Sequence, residues 1–131
     1  MAEDFHEMDE KETEWVMNRF ISETHGKYLR KVLNSFAEKR GYSHEYIYIW
    51  FYYDNDGDED SDEKLRMLDN KHVLIEQDYS ISFTGKDDFV YLDFPTFYKY
   101  LAHEINKRAK RNPKSADLID LLAKVKESLG V

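Results

Sequence analysis

The chain contains no cysteine, only two prolines and only five glycines, and it has no long apolar run. Without cysteine, disulfides, thiolate catalysis and sulfur-ligated metal sites are excluded. No segment approaches the roughly 20 apolar residues that a membrane-spanning helix needs. Because the glycines are isolated from one another, there is no phosphate-cradling loop and no dinucleotide-binding fingerprint.

The composition is that of a folding chain. Its 131 residues are 41% hydrophobic and 15% aromatic, which is enough to bury the core of a single domain spanning residues 1–131. Residues 1–14 hold seven acids and one lysine and have no apolar run, so they do not read as a secretory signal. We expect a cytoplasmic protein whose residues 1–8 form a flexible acidic leader.

Residues 54–63 carry most of the net charge. This segment holds seven carboxylates and no base, and the formal net charge of the whole chain is -8. The remainder is therefore close to neutral. We predict a solvated acidic loop, because regular structure would bring like charges together without burying apolar surface.

Apolar residues recur at helical spacing through residues 9–40, with His25 and Gly26 as a candidate break and Gly41 as the predicted stop. Aromatic and β-branched residues fill residues 46–53, which predicts a strand. Alternation over 73–83 predicts one long strand or two, and a hairpin connection at 84–88 leads into a strand at 89–94. Two amphipathic helices follow, separated at Asn112 and Pro113. The predicted fold class is α+β: an N-terminal helix or helix pair, an antiparallel meander of three to four strands and two C-terminal helices, in a two-layer sandwich.

One side of the first strand is an aromatic ladder of Tyr46, Tyr48, Trp50 and Tyr52. A central strand covered on both faces would carry these residues. An exposed recognition face would also carry them, since Tyr and Trp anchor interfaces. The sequence leaves both interpretations open.

The acidic loop resembles a calcium-binding EF-hand loop only in part. Placing Gly57 at the obligatory glycine puts Tyr52 at the first ligand position, and starting at Asp54 puts Leu65 at the last. A calcium-binding module therefore remains an alternative, and no metal or other cofactor is predicted.

A basic cluster lies near the end of the penultimate helix. On a chain of net charge -8 these bases are expected to offset the carbonyl end of the helix dipole, and we predict no nucleic-acid partner. The cluster comprises Lys107, Arg108, Lys110, Arg111 and Lys114.

Evidence for catalysis is sparse. None of the five histidines has the spacing of a paired metal ligand, and there is no nucleophile elbow. A carboxylate site assembled from Asp78, Asp88 or Asp93 remains an alternative, but we predict that the chain is not an enzyme.

The leading hypothesis is a small acidic protein that occludes a basic protein partner. An immunity protein or antitoxin facing a toxin such as a nuclease fits this description, because a nuclease cleft is positive in order to hold phosphate. No membrane partner is expected, and both a monomer and a homodimer are compatible with the sequence. The predicted partner-binding residues are Trp50, Tyr52, Asp54, Asp56, Asp58, Glu59, Asp60 and Asp62.

Overall fold

The structure, a computed structural model, describes residues 5–24, 27–52 and 63–131. The strands are β1 (Phe5–Glu7), β2 (Tyr42–His44), β3 (Ile47–Phe51), β4 (His72–Gln77) and β5 (Asp87–Asp93). The helices are α1 (Glu10–Glu23), α2 (Lys27–Ala37), the short α3 (Glu63–Arg66), α4 (Phe94–Arg111) and α5 (Asp117–Leu129). Short 3-10 turns cover Tyr79–Ile81 and Pro113–Ser115.

The sheet has five strands in the order β1-β5-β4-β3-β2. β2 to β5 form an antiparallel meander, and β1 adds to the outer edge of β5 in parallel. The predicted α+β class, with a helix pair, a four-stranded meander and two C-terminal helices, is confirmed.

One hydrophobic core lies between the sheet and the four longer helices. Buried residues of α1, α2, α4 and α5 share this core with alternate residues of β3, β4 and β5. Three phenylalanines join the layers: Phe36 of α2, Phe51 of β3 and Phe97 of α4 have ring centroids 5.3 to 5.9 Å apart. Since successive strand residues face opposite sides, the four longer helices pack on the side of Ile47, Ile49 and Phe51.

The N-terminal residues differ from the prediction. Residues 5–8 are part of the fold instead of a flexible leader, because Phe5–Glu7 pairs with β5 and Met8 is buried, its N–H donating to the Phe89 carbonyl at 2.8 Å. Residues 1–4 lie outside the described part of the chain.

The first helical region forms two helices, Glu10–Glu23 and Lys27–Ala37. The proposed break at His25 and Gly26 falls between them, outside the described residues. The stop predicted at Gly41 is wrong. Lys39 takes the left-handed conformation with φ of 57°, and the N–H of Arg40 donates to the Ser35 carbonyl at 2.8 Å. This is a Schellman closure made without glycine.

The strand predicted over 73–83 ends earlier, at Gln77. Asp78 stops it, because its carboxylate accepts the Ser80 N–H at 3.1 Å and starts the 3-10 turn Tyr79–Ile81. At the far end of the next strand, Asp93 accepts the Thr96 N–H at 2.9 Å and begins α4, with Pro95 in its first turn. These two caps fix both ends of the β4–β5 unit.

Candidate functional site

The candidate site is the side of the sheet that faces away from the four longer helices, here called the outer face. Its residues alternate with the core residues: Tyr48 and Trp50 on β3 lie opposite Glu76 and Leu74 on β4. Phe89 of β5 is paired with Glu76 in the same row. The face is therefore rich in aromatic rings.

Helix α3 covers the β5 and β1 side of this face. The Tyr91 hydroxyl donates to the Lys64 carbonyl at 2.6 Å. The Lys64 side chain is only 8% exposed, and its Nζ lies 2.9 Å from the ring centroid of Phe5 and 5.7 Å from that of Phe89. A cation held over two rings in a site of low exposure is a favourable cation–π arrangement.

The β3 side of the outer face carries a pair of stacked rings. The ring centroids of Tyr48 and Trp50 are 6.2 Å apart with an interplanar angle of 11°, and both side chains are partly buried. The indole Nε1 of Trp50 is buried and has no hydrogen-bond partner among the described residues. A large ring pair held in this way is a typical interface anchor.

Shallow depressions flank the ring pair on both sides. Gly41, Tyr42 and Ser43 line the depression toward β2. The depression toward β4 is here called the acidic pocket, and its lining is rich in carboxylates. It is lined by Tyr48, Trp50, Glu76, Gln77, Asp78 and Asp87.

Local hydrogen bonds hold two carboxylates of the acidic pocket in place. Asp87 Oδ1 accepts the Tyr79 N–H at 2.8 Å, and Asp78 Oδ2 accepts the Ser80 hydroxyl at 2.6 Å. Neither aspartate forms an ion pair with a base among the described residues. No described base therefore neutralises these two carboxylates within the protein.

Trp50 and Tyr52 are the predicted site residues that the structure describes. Trp50 belongs to the stacked pair, and Tyr52 follows the end of β3 with 45% of its surface exposed. The other predicted residues fall outside the described part of the chain, as does the proposed calcium loop. They are Asp54, Asp56, Asp58, Glu59, Asp60 and Asp62.

The aromatic ladder is neither fully covered nor fully open. Tyr46 and Tyr52 at its ends are exposed, while Tyr48 and Trp50 between them are partly buried. Glu76 and Asp87 were not predicted as site residues. Their position depends on the register of β4 and β5, which no local pattern encodes.

The three carboxylates considered for hydrolysis all cap backbone groups. Asp78 accepts the Ser80 N–H, Asp88 accepts the Phe83 N–H at 3.1 Å, and Asp93 accepts the Thr96 N–H. The hydrogen bonds from Thr96 lower the pKa of Asp93, which is opposite to the shift that a general acid near neutral pH requires. The role that these contacts show for the three residues is structural, since each carboxylate caps a backbone N–H group.

The basic cluster lies at the carbonyl end of α4, in the helical layer. Glu104, only 4% exposed, accepts from Asn18 Nδ2 at 2.8 Å and lies 3.2 Å from Lys107 Nζ. Burial lowers the pKa of Arg108, and Glu104 opposes that shift. The cluster therefore includes a base held by an internal carboxylate.

The described residues contain neither a metal-binding cluster nor a membrane-spanning helix. Within residues 5–24, 27–52 and 63–131, no three His, Asp or Glu side chains are grouped as a metal site. Over the same ranges, no helix combines the length and apolar character required to cross a bilayer.

The aromatic centre of the outer face resembles the core of a protein–protein interface, where Tyr and Trp are enriched. Residues 13–122 match the family model described as CDI immunity protein. The chain belongs to this family, and it is an immunity protein for a bacterial contact-dependent toxin. Searches of curated proteins and of solved structures found no match. The family match does not favour the calcium-module and enzyme alternatives.

Proposed function

We propose that this immunity protein is a non-enzymatic inhibitor that neutralises a basic toxin domain in the cytoplasm by covering its active cleft. Membership of the CDI immunity protein family carries the proposal, because it supplies a toxin as the partner. A nuclease is the leading candidate for that toxin, since a cleft that holds phosphate must be positive.

The proposed docking surface joins the outer face of the sheet to the acidic segment that follows β3. Trp50 and Tyr52 anchor the toxin, and Asp54, Asp56, Asp58, Glu59, Asp60 and Asp62 attract it. The partly buried stack of Trp50 on Tyr48 supports this assignment, because aromatic side chains set in a polar rim dominate binding energy at interfaces. The charged segment raises the association rate through long-range attraction.

A stoichiometric titration separates occlusion from enzymatic inactivation. The probe is the toxin domain against which co-expression of this chain restores bacterial growth. We expect toxin activity to fall linearly and reach zero near an equimolar ratio, because each inhibitor covers one cleft. Complete inactivation by a small fraction of an equivalent would contradict the proposal.

The anchor is tested by a matched pair of tryptophan substitutions. We expect Trp50→Ala to weaken toxin binding by about 30-fold or more, the effect of removing a hot-spot side chain. Trp15→Ala is the control: Trp15 lies on α1, is 45% exposed and contacts Phe83 and Arg19. Its affinity should stay within about threefold of the parent.

Calorimetric titration and circular dichroism measure affinity and folding for both variants. Tyr52→Ala, at an exposed position, gives a second test if Trp50→Ala fails to fold. If folded Trp50→Ala binds the toxin with the parent affinity, the toxin does not dock on the outer face. The same conclusion follows from parent affinity in Tyr52→Ala if Trp50→Ala does not fold.

A further inference from the structure

We propose that the acidic pocket is a receptor for one arginine side chain of the toxin. The inference rests on the proposed function, which supplies a basic protein as the partner. The pocket is open to solvent, and its space counted out to the open mouth is ≈ 400 Å³. It is formed by residues of β3, β4 and β5 and of the turn that Asp78 begins.

The aromatic wall favours a planar cation. Tyr48 and Trp50 stack nearly parallel, at 11°, and both line the pocket. A guanidinium group is flat, weakly hydrated and stacks on aromatic rings, whereas an ammonium group is compact and strongly hydrated. The wall therefore selects arginine over lysine.

The acidic rim supplies acceptors for the remaining donors of that group. Asp78 and Asp87 each have one oxygen held by a hydrogen bond within the protein, and no hydrogen bond reaches the other oxygen from the described residues. Glu76, opposite Tyr48 on β4, also lines the pocket, but the two aspartates alone carry the argument for the rim. A guanidinium has five N–H donors in a rigid fork, so it can bridge carboxylates that an ammonium contacts one at a time.

The rim is organised before any partner arrives. The bonds from Tyr79 and Ser80 fix the two aspartates, and these bonds belong to a turn anchored by Asp78 N–H, which donates to the Tyr46 carbonyl at 2.8 Å. A receptor that is already ordered loses little conformational entropy on binding.

The first experiment follows the indole N–H resonance of Trp50 by NMR during titration with N-acetyl-L-arginine amide. The chain has two tryptophans, so Trp15→Phe assigns the two indole signals. We expect a saturable shift of the Trp50 signal and a constant Trp15 signal. The lysine amide should bind more weakly, and the uncharged citrulline amide should produce no saturable shift.

The double variant Asp78→Asn, Asp87→Asn tests the rim. Asparagine keeps a side-chain acceptor for the local N–H groups and removes two charges, so the fold is expected to persist while the dissociation constant rises roughly two- to thirtyfold. Asp120→Asn with Glu127→Gln, at two exposed positions on α5, is the charge-matched control and should leave the dissociation constant unchanged.

Three results would overturn the inference: no saturable shift with the arginine amide, equal binding of the lysine or citrulline amide, or unchanged binding by the folded double aspartate variant. The toxin complex separates this inference from the proposed function. If the parent chain neutralises the toxin and the double variant binds that toxin with the parent affinity, the acidic pocket does not bind an arginine of the toxin. The proposed function as an inhibitor would still hold.

Discussion

Asp88 is a fully buried carboxylate at 0% exposure, on the core side of β5. Its Oδ2 accepts from Gln77 Nε2 at 2.9 Å and from the Phe83 N–H at 3.1 Å. Gln77 is its cross-strand partner in β4, so the pair closes the end of the sheet and holds the connection between the two strands. These bonds satisfy one oxygen of the buried carboxyl, while Asp88 Oδ1 and Gln77 Oε1 are buried without a hydrogen-bond partner among the described residues.

We expect Asp88→Ala to lower the free energy of unfolding by about 1 to 3 kcal/mol, because it leaves the Gln77 and Phe83 donors without their acceptor. Asp88→Asn should cost less, since it retains an acceptor oxygen for these donors. Urea unfolding followed by fluorescence measures both. Asp120→Ala, at an exposed position on α5, is the control and should stay within about 0.5 kcal/mol. An Asp88→Ala protein as stable as the parent would show that these bonds do not hold the β4–β5 connection.

At the scale of elements, the strand β3 and the helix stripes were predictable because their signals are local. Aromatic and β-branched residues occupy every position of Ile47–Phe51, and the apolar spacing of α4 and α5 matches one helix face. The strand Phe5–Glu7 was not predictable in this way. It is short and partly charged, so its own residues carry no strand signal. What makes it a strand is its pairing with β5, more than 80 residues further along the chain.

An ion pair joins α2 to the start of α5. Arg30 Nε lies 2.5 Å from Asp117 Oδ2, and Arg30 Nη2 lies 2.7 Å from Asp117 Oδ1. This two-bond geometry lowers the pKa of Asp117, chiefly through the hydrogen bond from Arg30. Because both residues are largely solvated, the pair reports on how α2 and α5 dock more than it contributes to stability.

We predict that Arg30→Gln raises the pKa of Asp117 toward its ordinary value. A carboxylate whose pKa is lowered by folding contributes stability above its unfolded pKa, about 3.9, and loses that contribution as the pH falls through the folded pKa. Carbon-13 NMR titration of the Asp117 carboxyl measures the shift directly. Lys124→Gln, at an exposed position on α5, is the control. An Asp117 pKa that is the same in parent and Arg30→Gln would mean that the helices do not meet through this pair.

At the scale of the whole molecule, the two layers differ in charge chemistry. The helical layer carries the basic end of α4, where Lys107 is held by Glu104, and the outer face carries the aromatic pair with its carboxylates. If the toxin domain is basic, as proposed, we expect it to approach the sheet side. Direction of this kind acts mainly on the association rate.

The site was predictable only in part. Trp50 and Tyr52 follow from the alternation of one strand, and the density of charge over residues 54–62 is visible in the sequence itself. The neighbours of Trp50 across the sheet could not be predicted from the sequence in this way. Glu76 meets Tyr48 only through the register of β3 with β4, and Asp87 joins them only through β5. A site assembled from three strands needs these pairings before its residues can be grouped.

The association rate with the toxin domain, measured by stopped flow across ionic strength, tests whether the acidic segment attracts a basic toxin. Asp56→Asn, Asp58→Asn and Asp60→Asn are combined in one variant, and Glu14→Gln, Asp120→Asn and Glu127→Gln form the control, which removes the same charge from exposed positions on α1 and α5. At about 0.01 M ionic strength, where the Debye length is about 30 Å, we predict that the first variant associates about tenfold more slowly than the control. At about 1 M the two rates should converge. Equal rates at low ionic strength would show that the acidic segment does not attract the toxin.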